Sequence, residues 1–228
     1  MTKAELKIVR SLRLKKFRDE HRLFVAEGAK CVSELEKAFE IVYRITDSKE
    51  IQEVSTLTTP PDVIGVFRQP DKQTADTLHD DLVLCLDCVQ DPGNLGTIIR
   101  TADWFGIRHI VCSNDTADCF APKVVQATMG ALARVHVHYT DIVDWLKKQQ
   151  TNIYGTLLDG QDMYNALPEK IEGIVVMGNE GNGLSQAVRQ LVTTPIRIPS
   201  YPKGEETSES LNVAIATAIV LAECRRRK

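Results

Sequence analysis

The sequence predicts an α/β fold, a mostly parallel sheet flanked by helices, preceded by a small α+β unit. Three observations support this. From residue 82 onward, short apolar strand-like runs alternate with helical patterns, the signature of a sheet built by repeated βα crossovers. Before residue 69, short strands follow one another with helical stretches only at the N-terminus and at 31–39. Between the two lies QPDKQTADTLHDD, residues 69–81, whose Pro, Asp and Thr read as a linker. The domains are therefore drawn as 1–75 and 76–228. With 228 residues, 43% of them hydrophobic and 26% charged, the chain can bury a core of that size.

The first 14 residues read as one amphipathic helix, with Leu6, Val9, Leu12 and Leu14 among basic residues. Strands are expected at 23–28, 41–46 and 63–69, and a helix at 31–39. In the second unit, strands are expected at 82–87, 109–112, 134–139, 153–158, 173–178 and 196–199. The intervening helices are placed at 97–106, 124–132, 141–149, 184–192 and 211–223. The longest apolar run, 211–224, is broken by Asn212, Thr217 and Glu223 and is too short to span a bilayer, so no membrane segment is expected. No secretion or transit signal is legible, and the cytoplasm is the expected compartment.

Cys85 and Cys88 form a CxxC, but they sit in an apolar strand-like run without a second such pair. They read as reduced core thiols rather than a metal or redox site. His136 and His138 share one face of another strand without nearby carboxylates or thiolates and read as structural, so no metal is expected.

Charge is uneven. The formal net charge is −3, yet residues 1–22 carry eight basic side chains against three acidic ones, and the chain ends Arg225, Arg226, Arg227, Lys228. Basic ends flanking an acidic body suit a polyanion held by the ends of the chain; the same pattern also fits a solvated helix face with a solubilising tail.

In open α/β sheets ligands gather beyond the C-terminal ends of strands, so three segments there draw attention. In DCVQDPGNLGTIIRTADWFG, Asn94 and Gly96 open a helix and Arg100 lies in its first turns, where a purely structural arginine is less expected. In MGNEGNGLSQAV, three glycines permit close backbone approach and Glu180 projects a carboxylate among them; alone this loop fits a ligand site or a turn equally well. It is neither a P-loop nor a dinucleotide fingerprint, which argues against a dehydrogenase. Before the last helix, Ser210 can serve as N-cap, which leaves Asn212 to be explained.

NLGTIIRTA, GNEGNGLS and ESLNVAIA, in this order, resemble the three motifs of the SpoU-type RNA 2′-O-ribose methyltransferases of the SPOUT superfamily. The segment RDEHRLFVAEGAKCVSELEKA resembles the small substrate-binding domain that often precedes that catalytic domain. The resemblance implies a C-terminal trefoil knot, S-adenosylmethionine as methyl donor, a homodimer formed through the catalytic domain, and rRNA or tRNA as substrate. Carried over residue by residue, it implies that Asn94 and Arg100 hold the target nucleotide, Glu180 fixes Arg100, and Ser210 with Asn212 completes the pocket. Thr156, Gly178, Gly181, Ile198 and Leu211 would line the cofactor site. Lys15, Lys16, Arg18 and Arg22, from the basic N-terminus, are the expected RNA-backbone contacts. Two departures stand out: SYPKGEETSE is longer than the usual link before SLN, and Ala214 stands where Ser is frequent. A non-catalytic RNA-binding protein retaining the fold is the alternative.

Overall fold

A computed structural model describes residues 1–71, 75, 81–202, 205 and 208–226. Helix α1 (Lys3–Ser11) opens with a capping box: the Glu5 N–H donates to Thr2 Oγ1, and the Thr2 N–H donates back to the Glu5 carboxylate. The helix expected over the first 14 residues ends at Ser11, and a second helix, α2 (Lys15–His21), follows after a turn. The cause lies in Arg18, whose Nη1 donates to the carbonyls of Leu12 and Arg13 and so satisfies the backbone left free where α1 ends.

Strands β1 (Leu23–Glu27), β2 (Ile41–Ile45) and β3 (Ile64–Arg68) form an antiparallel sheet in the order β1-β3-β2. Helix α3 (Ala29–Leu35) follows β1. Helix α4 (Ser48–Val54), not foreseen in the sequence, follows β2 and is capped by the Asp47 carboxylate. Leu6 and Val9 of α1 and Leu12 just after it pack with Ile51 and Val54 of α4 on one face of this sheet. On the other face, Phe24 and Phe67 join Val32 and Leu35 of α3 in a core continuous with that of the second domain. The small domain is thus docked. Of the expected linker, 72–74 and 76–80, and with them the 75/76 boundary, lie outside the described residues. Ala75 is buried, and its carbonyl accepts from Trp145 Nε1 at 2.9 Å.

The second domain contains β4 (Leu82–Leu86), β5 (His109–Ser113), β6 (His136–Thr140), β7 (Ile153–Asp162), β8 (Gly173–Met177) and β9 (Thr194–Arg197), all paired in parallel in the order β6-β5-β4-β8-β7-β9. Central strands β4 and β8 are covered on both faces, which is why they read as unbroken apolar runs. Helices α5 (Pro92–Trp104), α6 (Pro122–Thr128) and α10 (Val213–Arg226) cover one face; α7 (Ile142–Lys147) and α9 (Gln186–Arg189) cover the other. A short α8 (Met163–Ala166) follows β7. The helix expected at 184–192 shrinks to α9, because the chain then turns to lay Val192 over Gly155, where a Cβ would come within 2.4 Å of it. From β4 the chain runs outward to β5, while β8 occupies β4's other side. The C-terminal ends of β4 and β8 therefore form a topological switch point. No helix among the described residues is long and apolar enough to cross a membrane.

Candidate active site

The three loop segments meet at that switch point. The Asp87 N–H donates to the Met177 carbonyl at 2.9 Å, and the Asp87 carboxylate accepts from the Ser185 N–H at 2.6 Å, which locks the loop after β4 to the loop after β8. Asn179 shapes the second loop. Its Oδ1 accepts the N–H groups of Gly181 and Asn182, and its Nδ2 donates to the Cys88 carbonyl at 2.8 Å. Gly178 has to be glycine, since a Cβ would lie 2.3 Å from the Gly183 carbonyl carbon.

Helix α5 starts at Pro92 with Asp91 as N-cap, its Oδ1 accepting the Asn94 N–H at 2.8 Å. The helical run expected over 97–106, opened by Asn94 and Gly96, begins instead at Pro92. This moves Arg100 out of the first turns to ninth of thirteen residues, so the helix-position argument for its activity fails. Asn94 in the first turn donates Nδ2 to Glu180 at 3.0 Å, and its Oδ1 accepts from Asn212 Nδ2 at 2.9 Å. A carboxylate only accepts, so the amide nitrogen of Asn94 must face it; the orientation of both amides follows. Glu180 also accepts the N–H groups of Asp91 at 3.1 Å and Gln90 at 3.3 Å. Burial pushes the Glu180 carboxyl up, but these hydrogen bonds, led by that of Asn94, outweigh it and hold the group below the usual carboxylate range.

Asn212, not Ser210, caps α10: its Oδ1 accepts the N–H groups of Ala214 and Ile215 at 2.9 and 3.3 Å, while Ser210 stands exposed two residues earlier. The expected contact between Glu180 and Arg100 is not made within one copy of the chain. Arg100 is exposed and pairs with no described residue. At about 100° per residue, Gly93, Thr97, Arg100 and Trp104 line the outer stripe of α5, centred about 90° around the helix from Asn94, with Arg100 itself about 120° away.

The expected cofactor residues collect at the same edge of the sheet. Thr156 Oγ1 donates to the Val176 carbonyl at 3.1 Å, joining β7 to β8. Ile198 leaves β9 half-buried, and Leu211, 50% exposed, precedes Asn212. Gly183 has open space where a Cβ would stand, and a Cβ on Gly181 would meet only Asn179 Oδ1, at an ordinary contact distance of 3.7 Å, so a ligand surface can approach their backbone.

Among the expected RNA contacts, Lys15 and Lys16 are exposed, Lys15 pairing with Asp19 at 2.8 Å. Arg22 hydrogen-bonds the Pro70 carbonyl. Arg18 is a correction. It is 3% exposed and bound to Asp118 of the second domain at 2.6 Å, so it holds domains together and does not face a ligand. At the other end of the chain, Arg225 pairs with Asp81 and Arg226 with Glu223, which removes both from a free basic tail; Arg227 and Lys228 lie outside the described residues, as do Lys203 and Glu206 of the long loop. Cys88 is not in the strand. It follows β4 with φ 60°, and burial, then a hydrogen bond with Asp115, pushes its thiol up to about 11, leaving it un-ionised. On edge strand β6, His138 is buried and shares a hydrogen bond of 3.0 Å with His109. The sequence reading missed Asp91 and Asn179. Asp before Pro-Gly is a legible cap signal, whereas the bonds of Asn179 depend on a loop 91 residues away.

The profile of the SpoU rRNA Methylase family matches residues 81–222, and that of an MRM3-like substrate binding domain matches residues 3–83. The chain belongs to the SpoU rRNA methylase family. The 23S rRNA (guanosine(2553)-2′-O)-methyltransferase RlmP of Bacillus subtilis is 31% identical over 95% of this chain and 94% of its own. The 23S rRNA (guanosine-2′-O-)-methyltransferase RlmB of Coxiella burnetii is 32% identical over 64% of this chain and 59% of its own. The crystal structure of an AdoMet-bound rRNA methyltransferase from Sinorhizobium meliloti superimposes with a TM-score of 0.89 at 32% identity, covering 99% of this chain and 95% of that one. The matched segment, 81–222, coincides with the six-stranded domain up to the last turn of α10, and all of the hydrogen-bonded cluster falls inside it.

Proposed function

We propose that this chain methylates a ribose 2′-hydroxyl of ribosomal RNA, using S-adenosylmethionine. The observation that carries this reading is the junction of Asn94, Glu180 and Asn212, drawn from segments up to 118 residues apart onto the switch point of the sheet. The relatives named as rRNA 2′-O-methyltransferases support the substrate class, and the AdoMet-bound neighbour supports the cofactor. The open backbone at Gly181 and Gly183 fits such a ligand, with Thr156, Gly178, Ile198 and Leu211 as its surroundings, inside the trefoil knot the family resemblance implies.

Bound S-adenosylmethionine supplies a methyl group already activated on a sulfonium. The protein's part is then alignment, worth about 7 kcal/mol or more of barrier, together with accommodating the hydroxyl proton. Asn94 and Asn212 each keep hydrogen-bonding capacity beyond the contacts they make, and Glu180 holds the Asn94 amide in place. Glu180 is not the base, because its carboxyl is depressed and already accepts several hydrogen bonds. Arg100 stays charged and positions a phosphate or the developing alkoxide with its planar fork, and the substrate phosphate takes the proton. A homodimer through the catalytic domain is part of the proposal. Trp104, one turn beyond Arg100 on α5 and 85% exposed, and Ile215 on the adjoining α10, 53% exposed, present apolar surface, and a second copy covering the Trp104 side would take Arg100 out of bulk water. The cytoplasm is the proposed compartment.

The test is incubation with purified rRNA and methyl-labelled cofactor, then alkaline hydrolysis. A labelled dinucleotide resistant to alkali is the expected product, since a methylated 2′-oxygen cannot attack the neighbouring phosphate. Label in alkali-sensitive mononucleotides would move the reaction to a base, and RNA retention without label would favour the non-catalytic alternative.

A further inference from the structure

One cation stands beside the active-site cluster without joining it. Lys123 lies in α6, and α6 packs on α5 so closely that a Cβ on Gly96 would lie 2.4 Å from that of Ala127. The same packing carries Lys123 to the start of α5. Its Cε is 3.9 Å from where a Cβ on Gly93 would stand, and its ammonium is 4.0 Å from Asp91 Oδ2. Asp91 caps Asn94 and donates its N–H to Glu180, so the ammonium is a single residue removed from the junction. At 4.0 Å it is beyond hydrogen-bond range, and the Lys123 side chain is 69% exposed. So loose and exposed a pair adds little to stability, which leaves the charge available.

The surroundings give that charge a task. Asp91 and Glu180 both carry carboxylates at this mouth, and an RNA phosphate brought against Asn94 meets their repulsion. Arg100 lies seven residues beyond Gly93 on the outer stripe of α5, about 10 Å along its axis. Arg100 and the loosely paired Lys123 are thus two exposed cations on this side of α5, spaced widely enough to hold different phosphates. We propose that Lys123 is a substrate-binding residue that holds an RNA backbone phosphate next to the target nucleotide. This rests on the reading of the protein as an RNA methyltransferase.

The experiment compares the full chain with Lys123→Gln, Lys123→Arg and, as a control from the opposite end of the sheet, Lys170→Gln. Binding to purified 23S rRNA is followed across salt concentration, alongside methylation kinetics and calorimetry with S-adenosylmethionine. Loss of one phosphate contact should lower the slope of log affinity against log salt by about 0.7–0.9, making affinity about 3-fold less sensitive between about 50 and 200 mM salt. Lys123→Gln should show this, with KM for RNA raised about 3- to 10-fold at nearly unchanged kcat and unchanged cofactor affinity. Lys123→Arg should restore slope and KM, and Lys170→Gln should leave both alone. A wild-type slope in Lys123→Gln overturns the proposal, as does a fall in cofactor affinity matching the fall in RNA affinity. If the wild-type protein binds rRNA but methylates none, the enzymatic reading fails while the salt slope still decides on Lys123.

Discussion

At the seam between the domains, Arg18 directs its guanidinium to Asp118 and to the carbonyls of Leu12 and Arg13 and is almost wholly buried, whereas beyond the C-terminal end of β4, Arg100 stands in solvent with no partner among the described residues. By residue type the two are the same. What separates them is where the rest of the chain has put its acceptors. The seam supplies a carboxylate and two helix-end carbonyls; the mouth of the candidate site supplies a carboxylate, Glu180, that Asn94 and two backbone N–H groups already occupy. A buried guanidinium that is fully paired sets the geometry of the fold, and an exposed one beside a preorganised cluster is free to meet a substrate.

The contrast is broken most directly at Arg18. Arg18→Met leaves Asp118 and two carbonyls without their donor and should destabilise the protein by about 3–5 kcal/mol, read from urea unfolding. A loss under about 1 kcal/mol would mean that the seam does not depend on this pair. Arg100→Lys should do the reverse: unfolding free energy within about 0.5 kcal/mol of wild type, and kcat/KM lowered at least about 100-fold, which is about 2.7 kcal/mol of transition-state stabilisation. Near-normal turnover would remove the positioning role, and a large stability loss would place Arg100 with the seam.

Asn212 belongs to both categories, and two substitutions separate them. Asn212→Ala removes the cap of α10 and the donor to Asn94, costing about 1 kcal/mol of stability along with activity. Asn212→Asp keeps a capping oxygen but loses the donor, so stability should return while methylation does not. Recovery of both would show that the residue acts only as a cap.

Legibility in the sequence follows the same division. The parallel sheet, the small α+β unit and the three converging segments were readable because each rests on a local pattern: apolar strands between helices, glycines and amides after strand ends. Errors came where a local pattern was settled by a distant residue. The first helix stops where Arg18 takes its carbonyls; Arg18 itself passed for a surface cation because Asp118 lies 100 residues away. The pattern reads as a helix opening at Asn94 and Gly96 into 97–106, although a proline behind an Asp cap begins it at Pro92, and that late start gave Arg100 its false position in the first turns. Glu180 was matched to Arg100 by motif, and only the folded backbone shows that Asn94 reaches it instead.

The smallest expected effect makes the sharpest control. Arg134 also crosses the seam, donating to Asp103 Oδ2 at 2.8 Å and to Glu34 of the small domain at 2.7 Å, so by bond count it rivals Arg18. Its side chain is 48% exposed against 3% for Arg18, and water competes for every one of those bonds. Arg134→Ala should therefore cost at most about 1 kcal/mol, and added salt should shrink even that. Because both arginines join the same domains through carboxylates, the ratio of the two losses isolates burial from bond number. Equal losses in urea unfolding would mean that bond number rather than burial sets the strength of the seam, and the same reasoning that frees Arg100 and Lys123 for substrate would then fail with it.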